Sequence, residues 1–165
     1  MLAILRWTVA CAAVMLWLTT ASINAEAARI GLNVGGGAGA PGIHIEHATT
    51  SRTALSLTGG LNRLYSGYYI QAGAKFFWRT GGVGPYAHVT GTFGTGNTGH
   101  AVWQTGELGL ALGTAWRLAR SVTVNLELGY AFGDGASYSL NGYGNNLSFS
   151  NGGRYVIGWR LLFGT

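Results

Sequence analysis

The side chains of this sequence that could carry out acid–base chemistry are a few isolated histidines and acids. His88 is followed two positions later by the hydroxyl of Thr90, and Glu107 lies in the next alternating segment along the chain. A histidine oriented by a carboxylate can act as a general base toward a nearby hydroxyl, which is the chemistry of an acyl hydrolase. His88 and Glu107 are therefore the catalytic candidates, although a structural role explains both residues and is preferred.

Two other patterns with possible chemistry fail on their spacing. His44, Glu46 and His47 could ligate a metal, but strand alternation places His47 on the opposite face from the other two. Residues 37–42 and 94–99 both match G-x-G-x-x-G. Dinucleotide binding needs such a loop to open a helix, and no helical pattern follows either segment. We therefore predict no metal site and no cofactor.

Six charged residues, among them three of the four acids that follow residue 27, fall on what become the inward faces if the alternating strands described below close into a barrel. Because an isolated charge inside a barrel is costly, these side chains must pair or stay hydrated. Counting back from the connections places His88 opposite Glu107. The same count places Arg160 near Glu127, with Arg29 as its neighbour across the closing seam. We predict a salt-bridge network that fills the lumen, comprising Arg29, Glu46, Lys75, Glu107, Glu127 and Arg160, with His44 and His88 on the same faces.

The composition excludes several classes of protein. Only 9% of the residues are charged, against about 25% in a typical soluble domain. The formal net charge is +5, but the bases are scattered singly, so the sequence does not predict a nucleic-acid-binding surface. Glycine is abundant, with 29 residues, and no helix-length apolar segment follows residue 27. This combination is typical of a transmembrane β-barrel.

Residues 1–27 have the layout of a cleaved secretory signal peptide. Arg6 precedes an apolar run at 7–18, and a small-x-small sequence supplies a cleavage site before residue 28. A membrane-anchoring helix is the alternative, but a span needs about 20 apolar residues. Cys11 is the single cysteine and lies within the run, so the exported domain would contain no disulfide. We predict a mature domain of residues 28–165.

The architecture is predicted by period-2 alternation between turn residues. The last segment alternates most clearly, with a large apolar face formed by Tyr155, Ile157, Trp159, Leu161 and Phe163. Glycine and β-branched residues recur inside the segments, which disfavours helix. The predicted strands are residues 29–35, 42–47, 53–61, 68–78, 86–93, 108–116, 122–132 and 154–163.

The connections between these segments alternate in length. Those at 49–52, 79–84 and 118–121 are short, whereas those at 36–41, 62–67, 94–102 and 133–153 fall in the alternate positions. Outer-membrane barrels have short periplasmic turns and longer outer loops, which would put the N-terminus in the periplasm. We predict an all-β, eight-stranded antiparallel up-and-down transmembrane β-barrel. A soluble β-sandwich or lipocalin-like barrel is the alternative, but its polar face should be richer in solvated side chains than these Gly-, Ala-, Ser- and Thr-rich faces.

The last strand resembles the C-terminal signature by which the barrel-assembly machinery recognises outer-membrane proteins. The signature residues are Tyr155, Ile157, Trp159, Leu161 and Phe163, and the departure is that Gly164 and Thr165 follow the final aromatic residue. The mature chain is similar in plan to small OmpA/OmpX-type barrels. This resemblance implies a location in the bacterial outer membrane, with lipid and lipopolysaccharide as surroundings.

The longest connection, 133–153, has the composition of an adaptable recognition loop. Tyr138, Tyr143 and Phe149 stand in it among Ser, Gly and Asn. A solvated loop or a hairpin that continues strands seven and eight is the other interpretation. The expected function is a structural or adhesin-like surface role, with a possible extracellular ligand on this loop. A lipid A-modifying hydrolase is second, and a narrow pore is third because an eight-stranded barrel is narrow.

Overall fold

The computed structural model describes residues 28–35, 41–62, 67–97, 101–139 and 148–164. The strands are β1 (Ala28–Gly35), β2 (Gly42–Ala48), β3 (Thr53–Asn62), β4 (Gly67–Phe77), β5 (Gly84–Asn97), β6 (Ala101–Ala119), β7 (Val122–Ser139) and β8 (Ser148–Phe163). No helix long and apolar enough to cross a membrane occurs among these residues. The predicted signal peptide, residues 1–27, lies outside the described residues and stays a prediction.

The eight strands form one closed barrel in chain order. Each strand pairs antiparallel with the next, and β8 returns to β1 along a seam that runs from Ile30 opposite Phe163 to Gly35 opposite Gly158. Closure pairs the sheet edges that would otherwise present open backbone groups. The predicted fold class, an all-β, eight-stranded antiparallel up-and-down barrel, is confirmed.

Strand alternation places polar side chains inside the barrel and apolar ones outside. Within the described ranges, 15 polar or charged residues are buried, against 8 buried hydrophobic ones. Twenty-four large hydrophobic residues are exposed on the outer face. In β8, for example, Tyr155 is 84% exposed and Ile157 is 68% exposed, whereas Arg160 is 0% exposed. The interior is therefore polar and the exterior apolar, the reverse of a water-soluble β-barrel.

The barrel wall is taller on one side than the sequence pattern indicates. Strands β1 to β4 have 8, 7, 10 and 11 residues, whereas β5 to β8 have 14, 19, 18 and 16. The predicted loop at 94–102 is largely strand, and the β7–β8 ladder continues to Ser137 opposite Ser148. Backbone hydrogen bonds need no alternation of side chains, so a strand can extend past the region where the alternation is visible.

The predicted recognition loop at 133–153 was therefore wrong in its bounds. Tyr138 belongs to β7 and Phe149 to β8, and the two strands continue as a paired ladder to Ser137 opposite Ser148. Tyr143 lies outside the described residues.

The three short turns and both ends of the described barrel lie at the same end, which we call the turn end. The turns comprise residues 49–52, 78–83 and 120–121. Gly81 N donates to Ser51 O at 2.9 Å, joining the first two turns, and Gly164 N donates to Ser121 O at 3.0 Å. These backbone bonds join neighbouring turns, and they tie the end of β8 to the third turn.

The turn between β4 and β5 also reaches across the mouth of the barrel. Arg29, on the opposite side of the ring in β1, donates from Nη1 to the carbonyl oxygen of Gly82 at 3.3 Å. Gly82 adopts a φ of 65°, in the left-handed region that glycine enters without a steric penalty. The turn therefore covers part of the opening at the turn end.

A close approach between β6 and the interior yields a first prediction. A Cβ at Gly113 would lie 2.4 Å from Cζ of Tyr86 and 2.7 Å from the carbonyl oxygen of Leu126. We expect Gly113→Ala to lower the free energy of unfolding by about 1–3 kcal/mol, because the backbone and the buried ring must both shift. Urea unfolding of the refolded barrel measures the change.

Gly152→Ala is the matched control for that substitution. A Cβ at Gly152 meets nothing within 4 Å, so its effect should stay within about 0.5 kcal/mol. Equal losses in the two variants would show that contact with Tyr86 is not the cause.

Candidate functional site

The lumen is the place where this chain concentrates its chemistry. Two carboxylates, Glu46 of β2 and Glu127 of β7, lie inside the barrel at 3% and 4% exposure. Each is surrounded by cations and hydrogen-bond donors from other strands. We call the two groups the Glu46 cluster and the Glu127 cluster.

The Glu46 cluster lies toward the turn end. Lys75 of β4 donates its ammonium to Glu46 Oε2, and Arg29 Nη1 lies 3.6 Å from Oε1. Arg29 and Glu46 are direct cross-strand partners in the β1–β2 ladder. His44 lies two positions before Glu46 on the same face, with Nε2 3.8 Å from the carboxylate. Its other nitrogen, Nδ1, is hydrogen-bonded to Oγ1 of Thr58 at 2.7 Å.

The Glu127 cluster combines side chains from four strands. Arg160 of β8 donates from Nη2 to Oε1 of Glu127 at 2.5 Å, and Tyr86 of β5 donates its hydroxyl to Oε2 at 3.4 Å. His88 Nδ1 lies 3.0 Å from the same Oε2, and its Nε2 lies 3.0 Å from Oγ of Ser56. Because an ionised carboxylate only accepts, Nδ1 carries the hydrogen, and Nε2 of a neutral ring accepts from the serine.

The two clusters are joined through Lys75 and Tyr86. The Lys75 ammonium lies 4.9 Å from the centroid of the Tyr86 ring, within the range of a cation–π contact. Lys75 and His88 are also cross-strand partners in the β4–β5 ladder. A cavity of about 20 Å³ beside His88, room for about one water molecule, is lined mainly by β5, β6 and β7. The side chains therefore obstruct the lumen.

Arg160 depends on a single partner. It lies between Asn33 of β1 and Asn125 of β7 in one cross-strand row, and all three are at most 1% exposed. Within the described ranges, Glu127 is the residue that accepts a hydrogen bond from Arg160, and Nε and Nη1 of Arg160 have no partner. Removing Glu127 would leave a buried guanidinium without a counter-charge, which is costly.

The order Ser56–His88–Glu127 is also that of nucleophile, base and orienting carboxylate in an acyl hydrolase. All three side chains are nearly inaccessible, at 4%, 1% and 4% exposure. Glu127 is shared with Arg160, and the adjoining cavity is far smaller than any acyl substrate. The hydrogen-bond chain can polarise the Ser56 hydroxyl, but the closed lumen offers a substrate no approach to it.

The predicted pairing of His88 with Glu107 is wrong. His88 faces Ala111 in the β5–β6 ladder, and Glu107 faces Thr92. Glu107 instead accepts from Nη2 of Arg154, at 2.8 Å to Oε1 and 2.7 Å to Oε2. The prediction failed because β5 and β6 extend into the supposed loop, so counting from its apparent limits gave the wrong register.

For Arg160, the predicted partner on β7 was correct, but the predicted neighbour on β1 was wrong. Glu127 is its partner, but Asn33 and not Arg29 faces it across the seam. Since β1 and β8 are the first and last strands, no connection in the sequence fixes their register. Arg29 lies nearer the turn end and contacts Glu46.

The remaining candidate motifs gain no support as ligand sites. Among the residues described, no three metal-binding side chains come together, and His47 is on the other face from His44 and Glu46. The second G-x-G-x-x-G segment begins as the end of β5.

Sequence reasoning missed the neutral members of the network. Ser56 and Thr58 lie on the inward face of β3, and Tyr86 on that of β5. Alternation places all three inside, but uncharged residues gave no reason to assign them partners.

Comparisons with protein-family models, curated proteins and solved structures gave no match. The fold and the site define a closed eight-stranded β-barrel with an ion-paired interior. Its function must be argued from its own geometry.

Glu127 and Glu107 offer a matched test of the interior network. Each carboxylate is paired with one arginine of β8, but Arg160 is fully buried whereas the Arg154 side chain is 41% exposed. We expect Glu127→Gln to destabilise the barrel by about 3–5 kcal/mol, because it leaves a buried cation unpaired. Glu107→Gln should cost no more than about 1 kcal/mol.

Urea unfolding midpoints of the two variants make the comparison. Similar losses in both would contradict a role for burial in the Glu127–Arg160 pair. Restored stability in Glu127→Gln combined with Arg160→Met would support it, since that variant removes the unpaired charge.

Proposed function

We propose that this chain is an outer-membrane β-barrel with a structural or surface-interaction role, and that its lumen is closed to solutes. The observation that carries the proposal is the inverted distribution of side chains. Twenty-four large hydrophobic residues are exposed on the outside of a barrel whose interior holds charged pairs. A water-soluble protein rarely exposes so large a continuous apolar surface, whereas a lipid bilayer requires one.

The outer face has the features of a lipid-facing belt. Aromatic residues stand near strand ends, as Trp78 and Trp116 do toward the turn end, and interfacial aromatic girdles are typical of outer-membrane barrels. The C-terminal residues proposed to engage the barrel-assembly machinery share this face: Tyr155, Ile157, Trp159 and Phe163 are exposed, and Leu161 is half-exposed.

The proposed orientation places the turn end in the periplasm, because outer-membrane barrels have short periplasmic turns. The tall wall formed by β5 to β8 then rises toward the outside. The ends of β7 and β8 that fall within the predicted contact region 133–153 belong to this wall. This region is the part we propose for contact with lipopolysaccharide or an extracellular ligand. The filled lumen favours this role over a pore, so we expect no stable conductance in planar bilayers.

Substitutions at two positions test the membrane proposal. Leu128 is 59% exposed near the middle of the apolar belt, opposite Leu112 in the β6–β7 ladder. In lipid vesicles, Leu128→Arg should destabilise the barrel by about 2–4 kcal/mol, because the cation would face hydrocarbon. Thr80→Arg, at an exposed position of the second turn, is the control and should change stability by no more than about 0.5 kcal/mol.

The measurement is urea unfolding in vesicles. The folded fraction at each urea concentration is read from heat-modifiable migration on detergent gels. A barrel that stays soluble without detergent, or that tolerates Leu128→Arg as well as Thr80→Arg, would refute membrane insertion.

A second candidate function, acyl hydrolysis of lipid A, is favoured by the hydrogen-bond chain Ser56–His88–Glu127. The closed lumen speaks against it, so we expect a fluorophosphonate probe to leave the folded barrel unlabelled. Labelling that disappears in Ser56→Ala, with altered lipid A acylation in the same variant, would make the enzyme the better proposal.

A further inference from the structure

Four exposed arginines lie at the turn end of the barrel. Arg52 ends the first turn, Arg79 lies in the second, and Arg117 and Arg120 flank the end of β6. We call these four residues the arginine collar. The lumen uses the buried cations Arg29, Lys75 and Arg160, so the collar is not part of the interior network.

The collar is one connected surface. The hydrogen bond from Gly81 N to Ser51 O, 2.9 Å long, joins the turns that carry the first two arginines. Arg117 Nη2 donates to the carbonyl oxygen of Gly81 at 3.3 Å, which brings the end of β6 against the same turn. Arg120 lies at the start of the turn that follows.

No carboxylate of the described chain balances this charge. Glu46 and Glu127 are buried in the lumen, and Glu107 is paired with Arg154 toward the other end of the barrel. Asp134 lies in β7 opposite Gly106 of β6, which is one position further from the turns than Glu107. Within the described ranges, no ion pair is formed by an arginine of the collar.

The collar directly borders the apolar outer face. Arg79 follows Trp78, which is 58% exposed, and Arg117 stands between Trp116 at 48% and Leu118 at 67%. Arginine can lay its aliphatic stem on an apolar surface while its guanidinium stays in water. In the proposed membrane position, the cationic groups therefore lie at the depth of the lipid headgroups.

We propose that the arginine collar binds the phosphates of anionic phospholipids in the leaflet that meets the turn end. The guanidinium fork matches the phosphate oxygens in geometry and charge. This inference rests on the proposed membrane insertion. It gives the inserted barrel a lipid-binding site that would hold the turn end against the membrane surface.

The test compares lipid binding by native mass spectrometry of the folded, full-length barrel in a neutral detergent. Phosphatidylglycerol and phosphatidylcholine of equal chain length are the probes. We expect the wild type to bind phosphatidylglycerol more tightly than phosphatidylcholine. In R52Q/R79Q/R120Q, the affinity for phosphatidylglycerol should fall about fivefold for each arginine replaced. Arg117 is left in place because it donates to Gly81. The preference should weaken at high salt, because the charges are exposed.

The control is R52K/R79K/R120K, which keeps the charge and should retain most of the preference. A glutamine variant that keeps the full preference would overturn the inference. So would lipid A that displaces phosphatidylglycerol from the collar, since the site would then belong to another lipid. Insertion into phosphatidylcholine vesicles is measured first: failure there refutes the membrane proposal itself, whereas an inserted barrel without lipid preference refutes only the collar.

Discussion

Arg160 lies wholly inside the barrel, and its hydrogen-bonding partner within the described residues is Glu127. A guanidinium in that position is tolerable only if a carboxylate compensates its charge, and the pair must be held in place by the strands that carry it. The β7–β8 register, which sets Asn125 opposite Arg160, brings the two side chains together. The same carboxylate orients His88 and Tyr86, so one ion pair organises the polar interior contributed by four strands.

The ionic interior and the apolar exterior are two results of one alternation. Along residues 154–163 of β8, inward side chains alternate with outward aromatic or aliphatic ones, as at Arg160 and Leu161. Because a one-residue slip would send Arg160 outward and its neighbours inward, the ion pairs oppose any change of register. The proposed membrane would surround the outer face of the barrel. Its lipid would solvate the apolar side chains there, which water solvates poorly. A filled lumen is also why we favour a role at the loops and turns over transport.

The strands and their faces could be predicted because alternation is a local property of the sequence. Every predicted strand exists, and His44, Glu46 and Arg160 all point inward as expected. What could not be predicted is set by long-range pairing. The register of β5 against β6 depends on where a hairpin ends, so the partner of His88 was misassigned. The closing seam joins the first strand to the last, and no connection fixes its register. The neighbour of Arg160 across the seam therefore could not be inferred from the sequence. Ser56 gave no signal because a serine on a small-residue face has many possible roles.

The central claim is that one face of each strand meets lipid and the other a closed polar interior. Nitroxide labels placed singly on the outward face of β7 at Val124, Leu126 and Leu128, and on its inward face at Thr123, test it most directly in a Cys11→Ser background of the barrel in lipid vesicles. Accessibility to oxygen should be high at the three outward positions and low at Thr123. Accessibility to a water-soluble nickel chelate should be low at all four positions. High nickel accessibility at the three apolar positions would place that face in water and contradict the claim.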